Sequence, residues 1–587
     1  MLARLVDRDA ARRLGNALIL VTAAIVVVFT VAWPFVRGAA VNPVQWTVPH
    51  PLVAVCMLAF VAIASLGAGR TRSVWRFVAS ACLFAGWASC RVLTMGDGAW
   101  WRQATAEGIV SRAEPLSSLV YTTVHRLGGP GAIDWIPPVA GFVATWAWLT
   151  ATDRLLGDRK PLARLSAATL WLASGVQVLF CHQYIEHTQL GIGALILGLG
   201  YLTAWTRRVD GTVENTSGNT AKTTAESTIN QGNRAGRSSL VCGSALLTVA
   251  ALSHLQYTGM LVAALGMVVL HGAGGCGLRE LLRVFAPAGA AIAAVVAITA
   301  AAVWLSPCQL MSGSIYGGVD GRLLVAPAEV LAPKHVALVS NALWFAVPMA
   351  LPFAVFAMAH VRARAAAPAG DNVVAAAGAA YLVFLSLFGF DLGWPRDADL
   401  LASMSPALSL LVAVVIVPRI VHGSAAQRLL LLGCLAGAVA FTSAATARLI
   451  RPRWHSLSQQ NTALAALFVD GVNAAADAAP YRVSAARGAT FELRVRGTPG
   501  YSFWVLRGQP APACEGNPYG SVADVRVGDL SASFVHYGAL DERGEATFTW
   551  SVAMLPDGGW PGLQALVFPG EAHDLNVASA AYYFEPR

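Results

Sequence analysis

From Ala17 to Ala447 the chain repeats one pattern, an apolar run without an acid or base followed by a short polar break. Each run is roughly 17 to 22 residues, enough for a helix to cross a bilayer core of about 30 Å. Composition agrees: 56% of the 587 residues are hydrophobic and 12% are charged, where a soluble domain carries about 25% charged residues. The pattern predicts a polytopic α-helical membrane protein of about thirteen transmembrane helices. Their spans fall near 17–36, 50–68, 75–93, 136–152, 163–181, 187–205, 239–253, 257–271, 284–305, 342–360, 373–390, 400–418 and 428–447.

An odd number of spans puts the termini on opposite sides. With a cytoplasmic N-terminus, the inside segments collect 22 of the 41 Lys and Arg, and the outside loops between helices hold eight. Positive charge retained on the cytoplasmic side is the usual orientation signal. It also accounts for most of the +9 net charge without a nucleic-acid partner. The basic start Met1–Arg13 leads into an apolar run too long for a cleaved leader and reads as a retained signal anchor. Nine cysteines form no CxxC pair, which argues against structural zinc and a thioredoxin-like centre.

The expected organisation is a cytoplasmic N-terminus at 1–16 and a membrane domain at 17–453. The latter has external loops at 94–135 and 306–341 and a flexible, Thr/Asn/Ser/Gly-rich cytoplasmic loop at 206–238. Residues 454–480 place Leu457, Leu464, Leu467, Phe468 and Val472 near helical spacing, which predicts an amphipathic linker helix. From 481 to 587 short alternating runs such as FELRVRG, YSFWVLRG and EATFTWSV predict a small all-β extracytoplasmic sandwich.

Orientation by charge brings the unusual polar clusters to the outer side. These are MGDGAWWRQATAEG (95–108) with Asp97 and Arg102, RAEPLSSLVY (112–121) with Glu114, and CHQYIEHTQ (181–189) with Glu186 and His187. SHLQYTG (253–259) adds His254, and FDLGWPRDADLLAS (390–403) packs Arg396, Asp397 and Asp399 into one turn. Singly, each has an ordinary explanation. Asp97 can cap a helix, Glu114 can favour the first turn after Pro115, and His254 can hydrogen-bond within a hairpin. His182 and His187 are five apart, a poor spacing for two metal ligands on one helix face.

Taken together, an Asp after an early helix, a following acid-bearing segment, YIEHTQL, HLQY and DLGWPRDADLL resemble the GT-C integral-membrane glycosyltransferases, over about residues 80–420. Ala398 stands where relatives often carry an aromatic. The resemblance implies a GT-C-like fold and transfer of a sugar from a polyprenyl-phosphate donor to an extracytoplasmic glycan, lipid or protein. The work would be done at the outer face of a bacterial inner membrane. It implies Asp97 as general base, with Glu114 and Glu186 orienting the acceptor or holding a divalent cation, which the sequence does not establish. Arg396 would bind phosphate, supplemented by Arg102 and Lys334, while Asp397, Asp399, His187 and His254 would contact substrate. Two rivals remain: a transporter or flippase of lipid-linked precursors, and a non-catalytic envelope assembly or binding protein on the same scaffold.

Overall fold

A computed structural model of the chain describes residues 51–66, 72–89, 105, 110–111, 114–157, 161–180, 189–216, 225–273, 293, 296–297, 300–301, 309–310, 324–347, 371–388, 402–429, 431–433, 435, 466–473, 481–497, 499–510, 527–555, 558–568, 577–578 and 581–587. The first part is helical: α1 (Pro51–Leu66), α2 (Arg72–Ser89), α3 (Pro115–Gly128), α4 (Ile136–Leu156), α5 (Pro161–Ala173) and α6 (Gln177–Phe180). There follow α7 (Gln189–Thr216), α8 (Ala225–Ser253), α9 (Thr258–Ala273), α10 (Pro333–Ala346), α11 (Asn372–Leu387) and α12 (Ala402–Val421).

The expectation of thirteen transmembrane helices in a GT-C-like fold is corrected here. Among the described residues only Gln189–Arg208 and Ala402–Val421 are long and apolar enough to cross a bilayer. Some helices placed on predicted spans are too short to cross, and α4, with 21 residues, ends in Asp153 and Arg154 and is not apolar enough over its length. α5 has 13 residues, or about 20 Å at 1.5 Å per residue. The physical reason lies in what hydropathy measures: it reports preference for an apolar surrounding, whether lipid or protein. The two qualifying windows are 78% and 94% buried inside the chain itself.

That burial is one continuous core shared by the helices, with Trp87, Trp148, Trp171 and Phe180 at its centre. Trp148 and Trp171 stack at 5.2 Å, and their indole N–H groups donate to Ala167 O and Thr145 Oγ1, so neither buried donor is lost. α7 and α8 approach closely because small residues face each other. A Cβ on Gly198 would meet Leu247, and one on Gly243 would meet Leu202.

The predicted flexible loop 206–238 is also corrected. α7 continues to Thr216 and α8 begins at Ala225, so most of that stretch is helical backbone. Low apolar content did not stop the two packed helices from extending, because propensity is a weak term beside a helix already nucleated by packing. Within the predicted external loop 306–341, β2 (Gln309–Leu310) pairs in parallel with β1 (Val110–Ser111), and α10 starts at Pro333.

The C-terminal part is two sheets. One contains β3 (Ala466–Val469), β4 (Val472–Asn473), β6 (Thr490–Arg496) and β9 (Glu545–Ser551), in the order β4-β3-β6-β9. The other contains β5 (Tyr481–Ala485), β7 (Ser502–Pro510), β8 (Val527–Ala539), β10 (Gly562–Phe568), β11 (Val577–Ala578) and β12 (Tyr582–Pro586). Leu467, Leu493 and Val495 from the first sheet share a core with Phe503, Val505 and Leu563 from the second. Tyr582 ties the sheets by donating its hydroxyl to Leu467 O or Val472 O, at 2.6 and 2.8 Å.

The linker helix expected at 454–480 is replaced, where the chain is described, by the β3–β4 hairpin. Leu467 and Val469 are buried while Ala466 and Phe468 are half-exposed, a period of two. Between the strands Asp470 and Gly471 take positive φ, 48° and 76°, as a two-residue type I′ turn requires. The β-unit thus begins before 481.

Candidate functional site

Glu114 and His254 stand 140 residues apart in sequence and meet at 3.0 Å, His254 Nε2 to Glu114 Oε1, with side chains 2% and 8% exposed for His and Glu. Local chain geometry prepares both. Pro115 opens α3, and Glu114 occupies the N-cap position, yet its side chain makes no capping hydrogen bond to its own helix. His254 is in extended conformation at the break between α8 and α9, where its Nδ1 accepts the backbone N–H of Gln256 at 3.2 Å and caps a short 3₁₀ turn.

With Nδ1 accepting, the imidazole proton lies on Nε2 and is donated to the carboxylate. Burial pushes the His254 pKa down to about 3, so near neutral pH the ring is uncharged and the contact is a hydrogen bond. The roles differ from those of a nucleophile triad, in which a carboxylate orients a histidine that takes the proton. Here both imidazole nitrogens are engaged. The carboxylate is the acceptor and the imidazole orients it.

Neighbouring hydroxyls and amides reinforce the junction. Ser117 Oγ donates to Ser253 O at 2.8 Å, locking α3 onto the end of α8. Gln256 Nε2 donates to Ser403 Oγ at 2.5 Å, linking the α8–α9 turn to the start of α12. These positioning residues lie in the same three polar segments that supplied Glu114, His254 and the 390–403 turn. What spacing did not reveal is that Ser117, Gln256 and Ser403 hold those segments together.

Of the other predicted site residues, Asp97, Arg102, Glu186, His187, Arg396, Asp397 and Asp399 lie outside the described residues. Lys334 is on the first turn of α10. Among the described residues no group of three or more His, Cys, Asp or Glu could hold a metal ion.

A second buried ionisable group was not anticipated. Asp371, 4% exposed, precedes α11 and accepts from Arg207 Nη2 at 2.6 Å and Nε at 3.0 Å, with Arg419 Nη2 at 3.6 Å. Arg207 also donates to Leu155 O at the end of α4. One carboxylate thereby joins α7, α11 and α12, and two guanidinium groups compensate its charge. Asp371 stands before an apolar run in DNVVAAAG, a signal that also fits an ordinary helix start.

No family model, curated protein or solved structure matches the chain.

Proposed function

We propose that the chain transfers a sugar from a polyprenyl-phosphate donor to an extracytoplasmic acceptor at the outer face of a bacterial inner membrane, with Glu114 accepting the proton of the attacking hydroxyl. The observation that carries this is the Glu114–His254 hydrogen bond. Glycosyl transfer to a hydroxyl needs a carboxylate held in place and shielded from bulk water, and a neutral imidazole can hold one without cancelling its charge. Asp97 keeps its sequence-based candidacy as a base, and Arg396 its candidacy as the phosphate ligand.

The test uses the full chain in proteoliposomes, supplied with polyprenyl-phosphate sugars and envelope acceptors, with labelled product counted. Wild-type transfer together with at least a 100-fold loss in Glu114→Gln supports the proposal. Undiminished turnover in Glu114→Gln removes Glu114 from the chemistry. Absence of transfer by wild type across the donor panel overturns the enzymatic reading.

A carrier of lipid-linked precursors is the second reading, and a different observation favours it. Between α5 and α6 the helix is interrupted at Ser174–Val176. Gln177 is 3% exposed there, and its Oε1 has no partner among the described residues. Interrupted helices with inward polar groups are a recurrent feature of transporters. Movement of a fluorescent polyprenyl lipid between leaflets, without product formation, distinguishes the two.

A further inference from the structure

The outward face of α2 and α4 takes no part in the site above. Four rings run along it. Phe77 meets Phe142 edge-on at 5.3 Å, Phe142 meets Phe84 at 6.4 Å, and Phe84 stacks on Trp135 at 6.3 Å. Beside this ladder Val139, Val143 and Trp146 are 48%, 47% and 37% exposed. They recur at i, i+4 and i+7, about 100° round the helix from the buried stripe of Ala140, Ala144 and Ala147.

Along the helix axis the band has definite ends. No charged side chain occurs between Trp135 and Asp153, a rise of about 27 Å at 1.5 Å per residue. A bilayer core is about 30 Å thick. At the Asp153 end Arg76 and Arg164 approach that carboxylate at 3.4 and 4.0 Å, and Arg154 lies over the Tyr201 ring. Two cations thus meet one anion, and a third stands on the next residue of α4. At the other end stands Trp135, 44% exposed.

An apolar band of bilayer thickness, with arginines at one edge and a tryptophan at the other, has the polarity profile of a lipid-facing surface. A protein interface of this kind would be rimmed by polar groups laterally as well. Mean hydropathy over α4 misses the band because that helix alternates an exposed apolar face with a buried one carrying Thr145 and Thr152.

We propose that the α2–α4 face lies against the acyl chains of a phospholipid bilayer, with its arginine end at the anionic headgroups. The proposal is independent of whether the chain transfers sugars.

The test places the photo-crosslinker p-benzoylphenylalanine at Val139 or Val143 in the full chain, reconstituted in phosphatidylethanolamine and phosphatidylglycerol vesicles. Exposed Tyr537 of the β-unit is the control site. Both positions are exposed, so the bulky residue need not disturb the core. Lipid adducts at least ten times more frequent at both than at Tyr537 support the proposal. Adducts to a second copy or another protein overturn it, and so do lipid yields no higher than at Tyr537.

Discussion

Two buried ionisable clusters hold the helices together, and they are built on opposite principles. Asp371 is flanked by Arg207, whose guanidinium also satisfies a helix-end carbonyl, and by Arg419, so its charge is compensated. Glu114 faces an imidazole that burial keeps neutral, so this contact sets its orientation without bringing a positive charge to it. The first arrangement suits a clamp. The second suits a group that must accept a proton. The difference teaches that burial and short contacts alone do not separate a clamp from a candidate base; what differs between the two sites is the charge of the contacting partner.

The largest effect that would break this comparison is expected at the clamp. Asp371→Ala leaves two arginines facing each other without their anion, and such a loss costs about 3–5 kcal/mol. Denaturant or thermal unfolding of the full chain should show the destabilisation; an unchanged midpoint would mean the clamp carries no stability. Glu114→Gln is expected to lower sugar transfer at least 100-fold, about 2.7 kcal/mol in barrier, with a smaller change in the unfolding midpoint than Asp371→Ala. Equal losses of stability in the two variants would erase the distinction between them.

Acidification sharpens the same contrast. The His254 pKa is lower in the folded chain, about 3, than its unfolded value near 6.5. Between these values the unfolded state binds more protons, so stability is full above about pH 6.5 and falls as pH drops toward 3. The slope from this residue reaches about 1.4 kcal/mol per pH unit, and His254→Asn should remove it. Stability measured from pH 7 to 4 in both proteins checks the sign, and parallel curves would refute the assignment. The smallest effect is expected for Ser117→Ala, which loses one hydrogen bond to Ser253 O, about 1 kcal/mol. Hydrogen exchange should then speed up at the start of α3 and leave the Asp371 end unchanged.

Much of the β-unit was legible. The runs at 490–496, 502–510 and 545–551 alternate because each strand has one face in the shared core. The hairpin at Ala466–Asn473 was missed although Asp470-Gly471 is a strong turn signal, because Leu464, Leu467 and Phe468 also satisfy helical spacing. Only the neighbouring strand, pairing Leu467 with Val495, decides between the two periods. In the helical part, element positions were readable from apolar runs, whereas their lengths and surroundings were not. His254 ends α8 by capping a 3₁₀ turn, a local geometry that hydropathy does not register.

The residues alone determined which segments are apolar, where strands alternate, and that Glu114 and His254 belong to unusual polar stretches. Tertiary structure decided that these two meet, that Asp371 is held between arginines, and that the two long apolar windows at Gln189–Arg208 and Ala402–Val421 are covered by protein. The reason is physical: apolarity and local spacing are properties of a segment, while a hydrogen bond across 140 residues and the choice of what covers an apolar face depend on how segments pack.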